Sequence, residues 1–180
     1  MWIALIKQYW QVSLLKETPE NTPYSPLLLM GIAVFFFCLV SIQWIMVDVE
    51  QQFSLSRTLL ASLSLIASYA LFTYALLAIL HMSNRIIQTL TCLLAGHVII
   101  HLLAFPLLLI VPFLVTGAIP QPLKIMVGSA YLIAILFLTV WQFMLTAYIY
   151  KQALSINYPR AVLASIGLVA ANILIVSFWR

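Results

Sequence analysis

Five long apolar runs, separated by short polar segments, dominate the order of hydrophobic and polar positions in this chain. The runs cover residues 26–47, 58–80, 86–115, 123–149 and 161–179. Each is long enough for a helix that crosses the hydrocarbon core of a bilayer, which takes about 20 apolar residues. The pattern therefore predicts an all-α integral membrane protein with one five-span transmembrane domain, residues 26–180.

The third run is longer than one crossing needs, and it contains Pro106 and Pro112 in its second half. At about 1.5 Å per residue it would reach roughly 45 Å, whereas the hydrocarbon core is about 30 Å thick. The part around the prolines is too short for a crossing of its own. We expect one kinked or tilted helix whose last turns lie at the far interface, with a re-entrant segment at 106–112 as the alternative.

The segment before the first run, residues 1–25, has a mixed pattern. One helical face of residues 1–16 carries Trp2, Ile3, Ile6, Tyr9, Trp10 and Ser13 or Leu14, and the other carries Lys7, Gln8 and Gln11. Such a face is typical of helices that lie in the headgroup region of a membrane. We therefore expect an N-terminal amphipathic interfacial helix. A hinge-like connector should follow it, because three prolines within residues 17–26 interrupt helix continuation.

Composition and charge narrow the function classes. The chain is 65% hydrophobic and 7% charged, whereas a soluble domain carries about 25% charged residues. Its eight basic residues are scattered singly, so there is no clustered basic face and no nucleic acid is expected as a partner. The predicted partners are the lipid bilayer and, through helix packing, other membrane proteins.

The same basic residues predict an orientation. With the N-terminus inside, the inner face holds Lys7, Lys16, Arg85, Lys151 and Arg160, and the outer face holds Arg57, Lys124 and Arg180. The positive-inside rule then favours a cytoplasmic N-terminus and an outer C-terminus. The compact layout with short loops favours a bacterial inner membrane.

The third run contains the motif HVIIH, in which His97 and His101 are four residues apart. On a helix these side chains share a face, one turn apart. Counted from Arg85, His97 lies about 18 Å along the helix, near the middle of the bilayer. Ionisable residues at that depth usually face the bundle interior or a cavity.

Two interpretations of the histidine pair stay open. One is a site for a transition metal or haem, or a proton relay. The other is a neutral pair that hydrogen-bonds to neighbouring helices. The candidate partners are Ser64, Ser68, Tyr69 and Tyr74 in the second run, and Gln142 and Thr146 in the fourth. No carboxylate lies within a run to complete a metal site, so we predict no cofactor and keep haem or a metal at His97 and His101 as the alternative.

Catalytic and transport motifs are missing from the sequence. It contains neither HExxH nor GxSxG, which mark metalloproteases and serine hydrolases. The run centres lack the Asp, Glu, Lys and Arg side chains that coupled transporters use. Cys38 and Cys92 lie within apolar runs and are interpreted as packing residues. We therefore predict a protein that is not an enzyme.

The order of elements resembles that of the bacterial members of the Yip1 family. The residues that carry the resemblance are QYWQVSLLKETPENTPYSP, which lead into the first run, and the tight connection from His81 to Arg85. The resemblance covers nearly the whole chain as a layout. It implies a short cytoplasmic N-terminal segment followed by five closely spaced spans, and no site residues.

These observations favour a non-enzymatic assembly or scaffold component that packs against other membrane proteins. A small metal- or haem-associated membrane protein that uses His97 and His101 is the second hypothesis. A permease-like transporter of a neutral solute is the third, and it requires a polar cavity around Gln43, the two histidines and Gln142.

Overall fold

A computed structural model describes residues 2–47, 54–115 and 120–179 of the chain. Its helices are α1 (Trp2–Ser13), α2 (Pro26–Val47), α3 (Leu55–Ile79), α4 (Ile86–Leu108), α5 (Val111–Val115), α6 (Gln121–Ala153) and α7 (Tyr158–Phe178). Short 3₁₀ turns occupy Pro19–Asn21 and Ser83–Arg85. The described residues thus form an all-helical protein. Residues 48–53 and 116–119 fall in two of the predicted polar segments and lie outside the described residues, as does Arg180.

Five helical segments are long and apolar enough to cross a membrane. They are α2, α3, the segment Ser83–Leu114, α6 and α7. The third segment is interrupted, because α4 ends at Leu108 and α5 begins at Val111. Pro112 has no N–H to donate to the carbonyl of Leu108, four residues before it, so the α-helical ladder stops there. The chain therefore bends within one long segment, as the two prolines predict.

The five long helices pack in a ring in the order α2, α4, α6, α7, α3 and back to α2. Helix α3 also contacts α4 across the ring, and α4 touches α1 on the other side. This position explains why the stretch 89–98 of α4 is buried from end to end. Helix α4 is the element around which the other spans are arranged.

Helix α6 is packed at one end only. Its buried residues all lie in the last three turns, from Leu145 to Ala153, and none occurs in residues 121–144. The helix has 33 residues, which corresponds to about 50 Å, well beyond the roughly 30 Å of a hydrocarbon core. The remaining two thirds of α6 have one half-buried face towards the rest of the chain, and their other faces are exposed.

Residues 2–22 form what we call the N-terminal hairpin. Helix α1 ends in a turn in which Leu15 has a positive φ of 62° and the N–H of Lys16 bonds the carbonyl of Gln11. The chain then reverses, and Gln8 donates to the carbonyl of Asn21 at 2.6 Å. The connector is therefore packed back against α1.

The N-terminal hairpin is attached to the start of α4 and the end of α6. Arg85 forms an ion pair with Glu20 and donates to the carbonyl of Ala153 at 3.3 Å. Gln88 donates to the carbonyl of Thr22 at 2.9 Å, and the Thr22 hydroxyl lies 3.3 Å from the sulfur of Cys92. These contacts seat the hairpin against the packed end of the ring.

The predicted apolar face of α1 is divided in the structure. Tyr9, Val12 and Ser13 are buried against the bundle, whereas Ile3, Ile6, Trp10 and Leu14 remain exposed. Burial raises the pKa of the Tyr9 phenol, because desolvation penalises the phenolate. Helix α1 therefore has one surface for its own chain and a second surface for the surroundings.

Close packing of α4 on α6 leads to a first prediction. A Cβ added at Gly96 would lie 2.5 Å from Cδ2 of Leu145, which is fully buried. We expect Gly96→Ala to lower stability by about 1–3 kcal/mol, the usual cost of overpacking. The measurement is thermal unfolding in mild detergent, followed by size-exclusion chromatography of the protein that stays monodisperse.

The matched control is Gly31→Ala in α2, where the added methyl group would have no atom within 4 Å. This variant should unfold at or above the temperature of the unmodified protein, since alanine favours helix more than glycine. Equal destabilisation by both substitutions would contradict the packing argument.

Candidate functional site

The two histidines of α4 point into the helix ring, at the level where α2 and α3 approach α4. His97 is 2% exposed, and its Nδ1 lies 2.7 Å from the carbonyl oxygen of Leu93, one turn earlier. Because a carbonyl oxygen only accepts, Nδ1 carries the proton and donates it. The orientation of the His97 ring is thus fixed by its own helix.

His101 is held by a side chain from another helix. Nε2 of Gln43 in α2 donates to the backbone carbonyl of His101 at 2.8 Å, and Oε1 of Gln43 lies 2.6 Å from Nδ1 of His101. The carbonyl can only accept, so the amide must present its Nε2 there and its Oε1 to the ring N–H. Gln43 therefore binds one residue through two hydrogen bonds and fixes the register of α2 on α4.

Aromatic rings surround both imidazoles. The Phe36 ring of α2 meets His101 edge-on at 5.4 Å and His97 at 6.4 Å between centroids. Tyr69 of α3 meets His97 at 5.0 Å and Phe36 at 5.9 Å, again edge-on. Edge-to-face contacts of this kind add to the energy of apolar burial. The rings join α2, α3 and α4 around the histidines.

The hydroxyl of Tyr69 extends the group of polar side chains to the remaining spans. The side chains of Gln142 in α6 and Asn172 in α7 lie close to it. All five helices of the ring thus contribute to one group, which we call the central cluster: Phe36, Gln43, Tyr69, His97, His101, Gln142 and Asn172. Hydrogen bonds between polar side chains of facing apolar helices stabilise their packing, as those between Gln43 and His101 do here.

Two buried polar atoms at the α3–α7 side of the central cluster have no hydrogen-bond partner among the described residues. They are Oγ of Ser68 and Oδ1 of Asn172. Ser68 is 3% exposed, so its hydroxyl is shielded from the surroundings. An unpaired buried hydroxyl costs about 1–3 kcal/mol, so these atoms are the weak point of the central cluster.

The structure brings some of the predicted histidine partners together and separates others. Tyr69 contacts His97 through its ring, and Gln142 reaches the group through Tyr69. Ser64 instead accepts from the indole of Trp179 at 3.1 Å, and Tyr74 is exposed. Thr146 bonds the carbonyl of Gln142 within its own helix. The predicted hydrogen bonds from these side chains to the histidines are therefore not what holds the pair.

Gln43 is not among the partners predicted for His101, although the positions of the two residues along their helices indicate the pair. Helices α2 and α4 run in the same direction, because one complete span, α3, lies between them. Counted from Pro26 and Arg85, Gln43 and His101 lie about 26 Å and about 24 Å along their helices. Two residues at the same depth of parallel neighbouring helices can meet, so this comparison predicts the pair. The predicted partners lie in the second and fourth runs instead.

The chemistry open to the central cluster follows from the ring nitrogens. Both histidines donate through Nδ1, so Nε2 carries the lone pair in each. A metal-ligating histidine usually has its other nitrogen bonded in this way. Within residues 2–47, 54–115 and 120–179, no three His, Cys, Asp or Glu side chains are grouped as metal ligands. His97 and His101 remain the pair on which the metal or haem hypothesis depends.

Comparisons with protein-family models, curated proteins and solved structures find no match for this chain. The resemblance to bacterial Yip1-family members therefore continues to rest on the layout of the spans. The geometry of the described residues is therefore the basis on which function is inferred.

The bond pair between Gln43 and His101 leads to a second prediction. We expect Gln43→Leu and His101→Leu each to lower the unfolding temperature, because each leaves a polar group of the other residue unpaired in an apolar interior. The double variant should lose less than the sum of the two, with a coupling of about 0.6–1.7 kcal/mol. A double-mutant cycle of thermal or denaturant unfolding in detergent measures it.

The control for this cycle is Thr139→Val in α6, whose hydroxyl is exposed and bonds Ile135 of its own helix at 2.8 Å. Paired with Gln43→Leu, it should give additive effects. Additivity between Gln43→Leu and His101→Leu would show that the two side chains do not stabilise one another.

Proposed function

We propose that this chain is a non-enzymatic, multi-pass protein of a bacterial inner membrane that works as an assembly or scaffold component. In this proposal it binds other membrane proteins by helix packing, with its N-terminus in the cytoplasm and its C-terminus outside. The observation that carries it is the open face of α6, where residues 121–144 contain no buried side chain.

The open part of α6 has the properties of a surface that accepts another helix. Gly128 has no atom within 4 Å of the position that a Cβ would take, and Ala130 and Ala134 are four residues apart on the same helix. Small residues at such spacing let two helix backbones approach closely in a bilayer. Ser129 and Thr139 in this part bond to their own helix, at 2.8 Å to the carbonyls of Ile125 and Ile135.

The central cluster supports the same proposal, because its polar side chains form hydrogen bonds within the protein. Gln43 and His101 pair with each other, and His97 bonds Leu93. These side chains stabilise the ring of helices, which is the neutral, structural interpretation of the histidine pair. The distribution of Lys and Arg supports the proposed orientation, and the layout resembles that of bacterial Yip1-family proteins.

A third prediction tests the scaffold proposal directly. The tagged protein, extracted from its native membrane in mild detergent, should bring down a defined membrane protein. Gly128→Leu should reduce the recovery of that partner at least several-fold, because the larger side chain blocks close approach on α6. Quantitative mass spectrometry of the eluate is the measurement.

The matched control is Gly31→Leu in α2, an exposed glycine at which, as at Gly128, an added Cβ would have nothing within 4 Å. It should leave recovery of the partner unchanged. The variant with His97→Leu and His101→Leu should still insert and retain the partner, although it unfolds at a lower temperature. A Soret band or stoichiometric metal in the purified protein, lost in that double variant, would make the histidines a cofactor site and overturn the scaffold proposal.

A transporter or receptor of a neutral solute is the second candidate, and the unpaired Oγ of Ser68 and Oδ1 of Asn172 are the observation that favours it. A hydrogen-bonding solute at the α3–α7 side of the central cluster would pair with both atoms. The two proposals predict opposite effects for Ser68→Ala.

The fourth prediction follows from this contrast. If the Ser68 hydroxyl is an unpaired structural group, Ser68→Ala should raise stability by about 1 kcal/mol, since an unsatisfied polar group is removed. If the hydroxyl binds a solute, Ser68→Ala should lower stability in native membranes. Extensive washing, which removes the solute, should then abolish this difference between the variant and the unmodified protein. Unfolding curves before and after washing distinguish the cases, and Ser177→Ala on the exposed side of α7 serves as the control.

A further inference from the structure

An apolar groove lies between the end of α1 and the outer side of α6. It has a volume of about 300 Å³ and is lined by Leu14, Leu15, Phe137, Val140, Trp141 and Met144. The volume is at the lower end of the range of small-molecule sites, about 300–1,000 Å³. Most of its walls are exposed at the outside of the ring, so the groove opens sideways towards the lipid and not along the axis of the bundle.

The walls of the groove are fixed by contacts of the N-terminal hairpin. The indole N–H of Trp141 donates to the carbonyl of Ser13 at 2.8 Å, and the left-handed Leu15 turns the chain away at that point. The rings of Phe137 and Trp141 lie 6.1 Å apart. A site whose walls are held in this way costs little conformational entropy when it is filled.

A basic side chain, that of Lys16, lies at the rim of the groove. Lys16 directly follows the lining residues Leu14 and Leu15 and is exposed. The neighbouring Glu17 accepts a hydrogen bond from Asn21 at 2.9 Å, so it is held within the hairpin. Lys16 forms no ion pair among the residues that the structure describes, whereas Arg85 pairs with Glu20. The Lys16 ammonium group is therefore available to an anion from outside the chain.

A second basic residue, Lys7, lies on the face of α1 that carries Leu14. Lys7 is seven residues before Leu14, which places both on one face of the helix, about 10 Å apart. Lys7, Trp10 and Leu14 are all exposed on that face, so the prediction that Lys7 lies opposite Trp10 and Leu14 is wrong. Long basic side chains beside aromatic and aliphatic ones are the usual surroundings of lipid headgroups.

We propose that the groove binds one acyl chain of an anionic phospholipid of the surrounding bilayer, whose phosphate pairs with Lys16. The apolar walls take the chain, and the cation at the rim selects the charge of the headgroup. The lipid would hold the tip of the N-terminal hairpin against α6, where Trp141 donates a hydrogen bond to the carbonyl of Ser13. The groove occupies residues 137–144 at one end of the open part of α6, and Gly128 lies about 14 Å further along the helix.

The fifth prediction concerns lipid selectivity. The full-length protein is purified in mild detergent and titrated with phosphatidylglycerol or with phosphatidylcholine of the same acyl chains, and bound lipid is counted by native mass spectrometry. Phosphatidylglycerol should bind more tightly. Lys16→Gln should raise its dissociation constant about five-fold, the effect of one basic residue near an anionic surface, and leave phosphatidylcholine unchanged.

Two further variants complete the experiment. Val140→Trp should weaken the binding of both lipids, because the larger ring fills the groove. Lys124→Gln, which removes a basic residue at the opposite end of the same helix, should leave both dissociation constants unchanged. Size-exclusion profiles and helical circular dichroism should match those of the unmodified protein in every variant, which shows that the fold is retained.

Three results would overturn the lipid proposal. One is equal affinity for the two lipids in the unmodified protein. Another is an equal loss with Lys124→Gln and Lys16→Gln, which would indicate unspecific attraction by net charge. The third is a photocrosslinker at Met144 that labels a co-purifying protein in native membranes and labels no lipid, which would make the occupant a partner helix.

Discussion

Polar side chains on the inner faces of long apolar helices have few partners other than one another, so their pairing constrains how the helices pack. In this chain the constraint centres on α4, which carries His97 and His101 into the helix ring. The two hydrogen bonds from Gln43 to His101 fix α2 against α4, and the rings of Phe36 and Tyr69 close the space around both histidines. The packing of the other spans around α4 is built on this arrangement.

The central cluster also explains how the remaining spans are placed. The hydroxyl of Tyr69 in α3 lies close to the side chains of Gln142 in α6 and Asn172 in α7. Further polar pairs join the helices at other levels, such as Ser41 with Ser62 at 3.0 Å. Single bonds of this type contribute only about 0.6 kcal/mol on average in membrane proteins. Their importance here is that they select one register among helices that are otherwise uniformly apolar.

The structure divides the molecule into a packed region and an open region. The packed region holds the N-terminal hairpin, the buried stretch of α4 and the last turns of α6, with Arg85 bonded to both Glu20 and Ala153. The open region is the rest of α6, which contains no buried side chain. Closely packed helices support the fold, whereas an unpacked apolar helix is a surface for lipid or for another protein. The proposed scaffold role and the proposed lipid site both depend on this division.

The sequence by itself determined the five apolar helices and the interruption of the third near its two prolines, because length, hydropathy and proline act locally along the chain. It did not determine that Gln43 binds His101, that the Pro-containing connector packs back on α1, or that only one end of α6 is buried. Those features depend on which helices are neighbours. In an apolar solvent most helix faces look alike in sequence, so only the tertiary structure decided which polar side chains meet.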